Sequence, residues 1–174
     1  MVGVDCLVNL GTYYQDKWGL GYNYYNSKDI SGFQIGCYDN KFLVGLYSSD
    51  DVGYTKVEGS QTYTNNADYH VIINCLNIPI SINGVTYGNS QLNNLGSSGG
   101  NIHLFRRNGN LNPYQFAKPN TKIFYCKIYT NNNTLVRDFI PVRIGQVGYM
   151  YDKVSNQLFG NNGSGDFILG PDKT

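Results

Sequence analysis

Apolar and polar residues alternate with a period of two along most of this chain. Because successive side chains of a β-strand point to opposite faces of a sheet, such alternation predicts strands with one buried face. The clearest runs are residues 4–10, 33–37, 42–46 and 69–75. No segment repeats its apolar residues at the helical spacing, so we expect the chain to fold from strands alone.

Three segments need separate interpretation. The segment 122–129 is apolar at both phases, which is typical of a central strand. Its inward phase is expected to hold Phe124, Cys126 and Ile128, and its outward phase Ile123, Tyr125 and Tyr129. The tail, 147–169, predicts two short strands bent around residues 161–165, and the polar stretch 55–59 predicts a loop.

Turn residues predict two hairpins. Asn83-Gly84 separates two short apolar runs and supplies the positive φ angles that a type I′ turn requires. Asp39-Asn40-Lys41 separates residues 33–37 from residues 42–46 in the same way. About ten short strands joined by frequent turns define an all-β fold, a sandwich of two antiparallel sheets. We expect one domain over residues 1–174.

Composition restricts the classes of partner. Charged residues make up 14% of the chain and the net charge is +1, so no basic stripe is present to bind nucleic acid. No run approaches the roughly 20 apolar residues that span a bilayer, which argues against membrane insertion. The first residues lack the basic, apolar and small-residue order of a secretory signal, so we expect no signal peptide in this chain.

The four cysteines are Cys6, Cys37, Cys75 and Cys126. None belongs to a C-x-x-C pair, which structural zinc sites usually contain. Each lies in phase with apolar neighbours of a predicted strand. We therefore expect four buried thiols rather than two disulfides or a metal site.

Residues that could carry catalysis are sparse. Glu58 is the only glutamate, and Asp50 and Asp51 are adjacent, so on a strand they would point to opposite faces. This does not supply the paired carboxylates of glycoside hydrolysis. His70 and His103 fall in the phase opposite to their apolar neighbours, so we expect them on an outer surface, and no G-x-S-x-G motif accompanies them. The sequence favours a protein that is not an enzyme.

Six aromatic residues, the only tryptophan among them, fall within positions 13–25. Exposed aromatic rings stack on sugar rings, and this makes Trp18 and Tyr14 a candidate glycan-binding platform, with Tyr22 and Tyr24 in support. Two alternatives stay open, namely aromatic packing between strands and an oligomer interface.

No cofactor is predicted, and calcium is the alternative to consider. Its oxygen ligands would come from Asp39, Asn40, Asp50 and Asp51. Their spacing matches no known calcium loop, so turn formation is the better explanation of these residues.

Five segments of the C-terminal third form a recognisable pattern, namely residues 123–129, 135–142, 148–155, 158–161 and 163–167. They resemble concanavalin/laminin-G-like domains of the kind found in gut phages and bacterial surface proteins. This resemblance implies a two-sheet jelly roll. It also implies a role in adhesion or decoration at a virion surface, alternatively a bacterial cell surface, with glycan binding as the attributed activity.

The resemblance also bears on assembly. The family's opening strand has no counterpart ahead of residues 4–10, which would leave a sheet edge open there or near Phe167. We expect a second copy or another virion protein to cover that edge, so the chain is predicted to form a homo-oligomer. A purely structural, capsid-stabilising protein without a ligand is the alternative, and a glucan hydrolase is the least favoured one.

Overall fold

A computed structural model describes residues 3–12, 17–25, 30–50, 53–74, 80–88, 102–105, 120–130, 132–162 and 166–171 of the chain, with the backbone alone at 17–25, 30–32, 47–50 and 53–56. These residues form thirteen strands and no helix, so they contain no helix that is long and apolar enough to cross a membrane. In chain order the strands are β1 (Gly3–Asn9), β2 (Lys17–Tyr25), β3 (Ile30–Tyr38), β4 (Lys41–Asp50), β5 (Gly53–Thr62), β6 (Tyr69–Ile73), β7 (Ile80–Ile82), β8 (Val85–Tyr87), β9 (His103–Leu104), β10 (Lys122–Tyr129), β11 (Leu135–Ile144), β12 (Val147–Asp152) and β13 (Gln157–Phe159). The predicted all-β class is confirmed.

The strands form two antiparallel sheets. The larger has eight strands in the order β13-β12-β11-β10-β1-β6-β7-β8, and the smaller has five in the order β5-β4-β3-β2-β9. Strand β1 lies in the middle of the larger sheet, between β10 and β6. The expected open edge beside residues 4–10 is therefore wrong, because both sides of β1 are already hydrogen-bonded within the chain.

Both predicted hairpins are present with the expected backbone. Asp39 and Asn40 have φ angles of 48° and 55° between β3 and β4. Asn83 and Gly84 have φ angles of 50° and 80° between β7 and β8. Two consecutive positive φ angles are the signature of the type I′ turn, whose twist matches that of the flanking strands.

The hydrophobic core lies between the two sheets. Alternate residues of β1 and β6 in one sheet pack with those of β3 and β4 in the other. The rings of Phe42 and Tyr69 stack across the interface with centroids 3.9 Å apart. At one side of the sandwich Gln61 Nε2 donates to the carbonyl oxygen of Ile82 at 2.9 Å, which ties β5 to β7.

Three of the cysteines are buried thiols outside any disulfide, as expected: Cys6, Cys37 and Cys126. The fourth, Cys75, lies outside the described residues. Burial is the largest cause that raises the pKa of the Cys6 thiol, and burial also raises the pKa of Cys126 to about 12. Both side chains therefore act as small apolar groups of the core.

The phase expected for the start of β10 is wrong because of a β-bulge. Leu7 pairs with Tyr125, but the next residue, Val8, pairs with Ile123. Phe124 is thus the extra residue of the bulge. As a result Ile123 is buried, where the sequence pattern placed it outward, and Phe124 is half-buried, where the pattern placed it inward.

The polar stretch around Glu58 is a strand and not a loop. It belongs to β5, which pairs with β4 along its whole length, and Glu58 lies exposed opposite Gly45. The inward phase of β5 holds Val57 and Gly59, both buried. A Cβ added at Gly59 would come within 2.8 Å of the Tyr87 ring, so the missing side chain allows the two sheets to approach closely here.

The tail also differs from the expectation. The turn between its two strands, β12 and β13, lies at residues 153–156, and residues 163–165 of the expected bend lie outside the described residues. Beyond β13, residues 166–171 form no strand. Phe167 instead contacts the ring of Phe105, with centroids 5.4 Å apart, and lies against Gly148 of β12.

The buried carboxylate of Asp152 organises this turn. Its Oδ1 accepts hydrogen bonds from the amides of Asp138 at 2.9 Å and Val154 at 3.1 Å. Its Oδ2 accepts from the Ser155 hydroxyl at 2.6 Å and the Ser155 amide at 3.3 Å, with Arg137 Nε 3.6 Å away. The side chain thus links β11, β12 and the turn in one network.

Candidate binding surface on the outer face of the large sheet

The outer face of the eight-stranded sheet carries a polar cluster centred on Asp5. Val4, Cys6 and Val8 of β1 point into the core, so the residues between them face outward. The hydroxyl of Tyr125 on β10 donates to Asp5 Oδ1 at 2.9 Å. His70 Nε2 on β6 lies 2.9 Å from the same oxygen. Three neighbouring strands therefore each contribute one polar side chain to a single point.

Backbone contacts hold this cluster in place. Asp5 belongs to the central strand β1, whose next residue, Cys6, is fully buried opposite Cys126. The amide of His70 donates to Asn83 Oδ1, and the amide of Asn83 donates to the His70 carbonyl, both at 2.8 Å. The Asn83-Gly84 turn thus fixes the backbone that presents His70. The cluster stands on rigid strands, which suits a binding site.

Charged residues extend the cluster across the sheet. Lys127 is the cross-strand partner of Asp5 on one side and of Asp138 on the other. Its ammonium lies 5.7 Å from the centre of the Tyr125 ring, within the range of a cation–π contact. Lys153 Nζ pairs with Asp138 Oδ2 at 2.8 Å. Acidic and basic groups therefore alternate from β1 to the end of β12.

The electrostatics keep Tyr125 protonated. Partial burial, the hydrogen bond to Asp5 and the negative charge of that carboxylate all raise the pKa of Tyr125 far above its usual value. The phenol consequently remains a hydrogen-bond donor at any physiological pH. Because an ionised carboxylate only accepts, His70 donates an N–H from Nε2 to Asp5. In the neutral tautomer with this proton, Nδ1 is an acceptor.

The side chains of the cluster remain accessible. The Asp5 side chain is 25% exposed and that of His70 is 42% exposed, so both can reach a ligand. In a catalytic triad the nucleophile hydrogen-bonds to the histidine ring. Among the described residues, no hydroxyl or thiol makes such a bond to His70 Nδ1. No group of three or more His, Cys, Asp or Glu side chains in the described part of the chain is placed to hold a metal ion. The arrangement supplies hydrogen-bond donors and acceptors for a polar ligand.

The structure describes only part of the aromatic residues proposed to bind a glycan. Tyr14 lies outside the described residues, and the side chains of Trp18, Tyr22 and Tyr24 do too. Their backbones belong to β2, where Trp18 pairs with Gly36, Tyr22 with Phe33 and Tyr24 with Ser31. A bulge between Trp18 and Leu20 interrupts this pairing. The glycan hypothesis for these residues stays a prediction.

The calcium candidates are separated along the chain and the fold. Asp39 occupies the first position of the β3–β4 turn with a positive φ angle, as its turn role requires. Asp50 is the last residue of β4 and pairs with Gly53, whereas Asp51 lies outside the described residues. Calcium binding, the less favoured alternative, stays untested.

Sequence reasoning did not anticipate the Asp5 cluster. Alternation predicted correctly that His70 lies on an outer surface, but it assigned no role to that residue. Asp5 and His70 are 65 residues apart and meet only because β1 pairs with β6. One local signal was present, since Asp is depleted in strands and Asp5 interrupts an otherwise apolar run.

Comparisons with protein-family models, curated proteins and solved structures give no match for this chain. The two-sheet sandwich is consequently defined by its own geometry. None of these comparisons shows kinship with concanavalin/laminin-G-like domains.

Proposed function

We propose that this protein is a non-catalytic binding module that adheres to its target through the outer face of the eight-stranded sheet. One observation carries the proposal, namely the accessible cluster in which His70 and Tyr125 both engage the Asp5 carboxylate. Asp is unfavourable in strands, and a central strand gains nothing in core packing from it on the outer face. A surface that offers oriented donors and acceptors on rigid strands is suited to recognition of a polar partner.

The setting follows from the resemblance stated above. A concanavalin/laminin-G-like jelly roll in a virion-surface, fibre or decoration protein fits the all-β sandwich, the low charge and the outer-face cluster. In that setting the partners are other virion proteins, further copies of this chain and cell-surface glycans. Light scattering at micromolar concentration tests the oligomeric part, and a monodisperse monomer would contradict it.

The experiment is a glycan array probed with labelled full-length protein and three variants. We expect the wild-type signal to be lost in the double variant His70→Ala/Tyr125→Phe, which removes two partners of Asp5. The matched control is Lys41→Gln, which changes an exposed charge on β4 of the smaller sheet, outside the cluster, and should retain the signal. Circular dichroism on each variant verifies that the sandwich remains folded.

The third variant, Trp18→Ala, tests the aromatic platform. Signal that survives in Trp18→Ala and disappears in the double variant supports the outer face. The reverse result in folded protein would place the site on the β2 aromatic residues and overturn this proposal. No signal from folded wild-type protein would favour the purely structural alternative.

The absence of catalysis is tested separately. Glu58 is exposed on β5, opposite a glycine of β4. The expected result is no turnover of β-glucans by the wild-type protein and no difference for Glu58→Gln. Turnover that disappears in Glu58→Gln would refute the non-enzymatic assignment.

A further inference from the structure

We infer that the outer-face cluster recognises a neutral sugar through two adjacent hydroxyl groups, which bridge Asp5 on β1 and Lys127 on β10. This inference rests on the proposed function and adds the chemical class of the ligand. Neighbouring hydroxyls of a sugar ring each donate and accept. One hydroxyl donates to the carboxylate, and the next accepts from the ammonium.

The arrangement of hydrogen bonds at Asp5 supports this assignment. Both hydrogen bonds that the described residues make to the carboxylate involve Oδ1. Within that part of the chain, Oδ2 is the oxygen that remains to accept from a ligand. Hydrogen bonds to a charged group are the stronger ones, so a hydroxyl donating to Oδ2 gains more than one donating to a neutral acceptor.

Lys127 supplies the complementary donor at the right distance. It lies directly opposite Asp5 in the β1–β10 ladder, where side chains of paired residues start about 5 Å apart. Its ammonium rests near the Tyr125 ring, which leaves its N–H groups available. His70 Nδ1 provides another acceptor on the far side of Asp5. The three strands β10, β1 and β6 span about 10 Å, which matches one sugar ring with its substituents.

The charge pattern selects for a neutral ligand. Asp5, Lys127, Asp138 and Lys153 alternate in sign along one row of the sheet. Opposite charges at such short spacing cancel beyond the immediate surface, so neither a polyanion nor a polycation gains long-range attraction. A carboxylate ligand at Lys127 would also lie between two acidic side chains.

The test is titration of the ¹⁵N-labelled full-length protein with methyl α-D-mannopyranoside, methyl β-D-galactopyranoside, methyl α-D-glucopyranoside and methyl α-D-glucopyranosiduronate, followed by amide chemical shifts. At least one neutral sugar should shift the amides of β1, β6 and β10. The glucuronide should bind more weakly than the glucoside, from which it differs only by the carboxylate. Affinity for the neutral sugar should change less than about twofold between ~50 mM and ~500 mM salt.

Variants complete the experiment. Lys127→Gln should weaken binding of the neutral sugar about tenfold, the loss expected for one charge-assisted hydrogen bond. Lys41→Gln, at an exposed position on β4 of the smaller sheet, should leave it unchanged. Asp5→Asn should also weaken binding, but because it alters the His70 and Tyr125 contacts, Lys127→Gln is the decisive variant.

The outcomes separate this inference from the proposed function. Outer-face shifts that are strongest for the glucuronide and fall with salt would overturn the neutral-sugar inference and leave the binding surface intact. Outer-face shifts from a neutral sugar that persist in Lys127→Gln would overturn the bridging geometry alone. If no sugar shifts outer-face amides while the glycan array signal still depends on His70 and Tyr125, the inference fails and the proposed function stands. If that signal is absent as well, both fail.

Discussion

Replacement of Asp152 by alanine should destabilise the C-terminal part of the sandwich more than any other single change of a carboxylate in this region. Asp152 is fully buried and accepts four hydrogen bonds from Asp138, Val154 and Ser155. It thereby joins the ends of β11 and β12 to the turn that starts β13. Alanine removes all four acceptors at once.

The magnitude follows from where the donors lie. The Asp138 amide is buried, so loss of its charged acceptor costs about 2 kcal/mol. The donors on Val154 and Ser155 are partly solvated and recover water, so their three bonds contribute about 0.5 kcal/mol each. The expected loss in the free energy of unfolding is therefore about 3–4 kcal/mol. Ser155→Ala removes only the hydroxyl bond and should cost about 0.5 kcal/mol.

The effect should depend on pH in a definite direction. Burial alone would raise the pKa of Asp152, but hydrogen bonds from the Asp138 amide, the Ser155 hydroxyl and the Val154 and Ser155 amides outweigh it and lower the pKa below its ordinary value of 3.8. A lowered pKa in the folded state means that the ionised carboxylate stabilises the fold above the unfolded-state pKa. That contribution is lost as the pH falls below about 3.8 towards the folded-state pKa.

The assay is urea unfolding followed by circular dichroism, at neutral pH and along a series down to about pH 2. The control is Asp166→Asn, which removes an exposed carboxylate of the same region and should change stability by less than about 0.5 kcal/mol. The difference between wild type and Asp152→Ala should be constant near neutrality and shrink in acid. A loss equal to that of the control, or a difference that grows in acid, would refute the role assigned to this network.

Two further experiments probe the core. Gly59→Ala should lower the free energy of unfolding in urea by about 1–3 kcal/mol, since the new methyl would overlap the Tyr87 ring at 2.8 Å. The control is Gly160→Ala, where the nearest atom is 3.8 Å away and stability should not change. Equal stability of the two variants would contradict the close approach of the sheets. In thiol labelling with a disulfide reagent at pH 8, Cys6 and Cys126 should react only on unfolding, because a pKa of about 12 at Cys126 leaves roughly one thiolate in ten thousand. The unfolded, unreduced protein should then show four thiols, and fewer would indicate a disulfide.

Sequence pattern alone predicted most strands of the fold because their buried faces are built from strict alternation. Where alternation weakens, prediction fails for identifiable reasons. The inward phase of β5 contains Val57 and Gly59, and a glycine gives no apolar signal. The bulge at Phe124 shifts the phase within β10, and both phases there are apolar, so the pattern does not reveal the shift.

The alternation of apolar residues does not predict the turn between β12 and β13, because polar side chains form that turn. Gly-rich residues 161–165 suggested the bend, whereas the bend is set by Asp152 and Ser155, whose spacing of three residues allows side-chain and backbone hydrogen bonds within the turn. Asn156 completes it with a φ angle of 56°.

The candidate site could not be predicted in the same way, since it depends on which strands become neighbours. Alternation indicates that Asp5 and His70 face outward, but only the order β10-β1-β6 brings them together. That order requires β1 to insert between strands that lie far from it in the chain. Such long-range pairing is set by the whole core and leaves no local trace.

The remainder of the outer face provides a comparison for the Asp5 cluster. In the same row of the sheet, β7 and β8 present Ser81 and Thr86, short hydroxyl side chains that suit a strand and need no partners. The central strands instead carry Asp5 and Lys127, charged residues with long or acidic side chains, at positions where the same hydroxyl residues would have served solubility equally well. His70 and Tyr125 then use their polar atoms on Asp5 rather than on water. Charged side chains continue onto β11, where Asp138 is the cross-strand partner of Lys127. The proposed ligand, which would require charged groups held in a fixed arrangement on paired strands, would account for these positions.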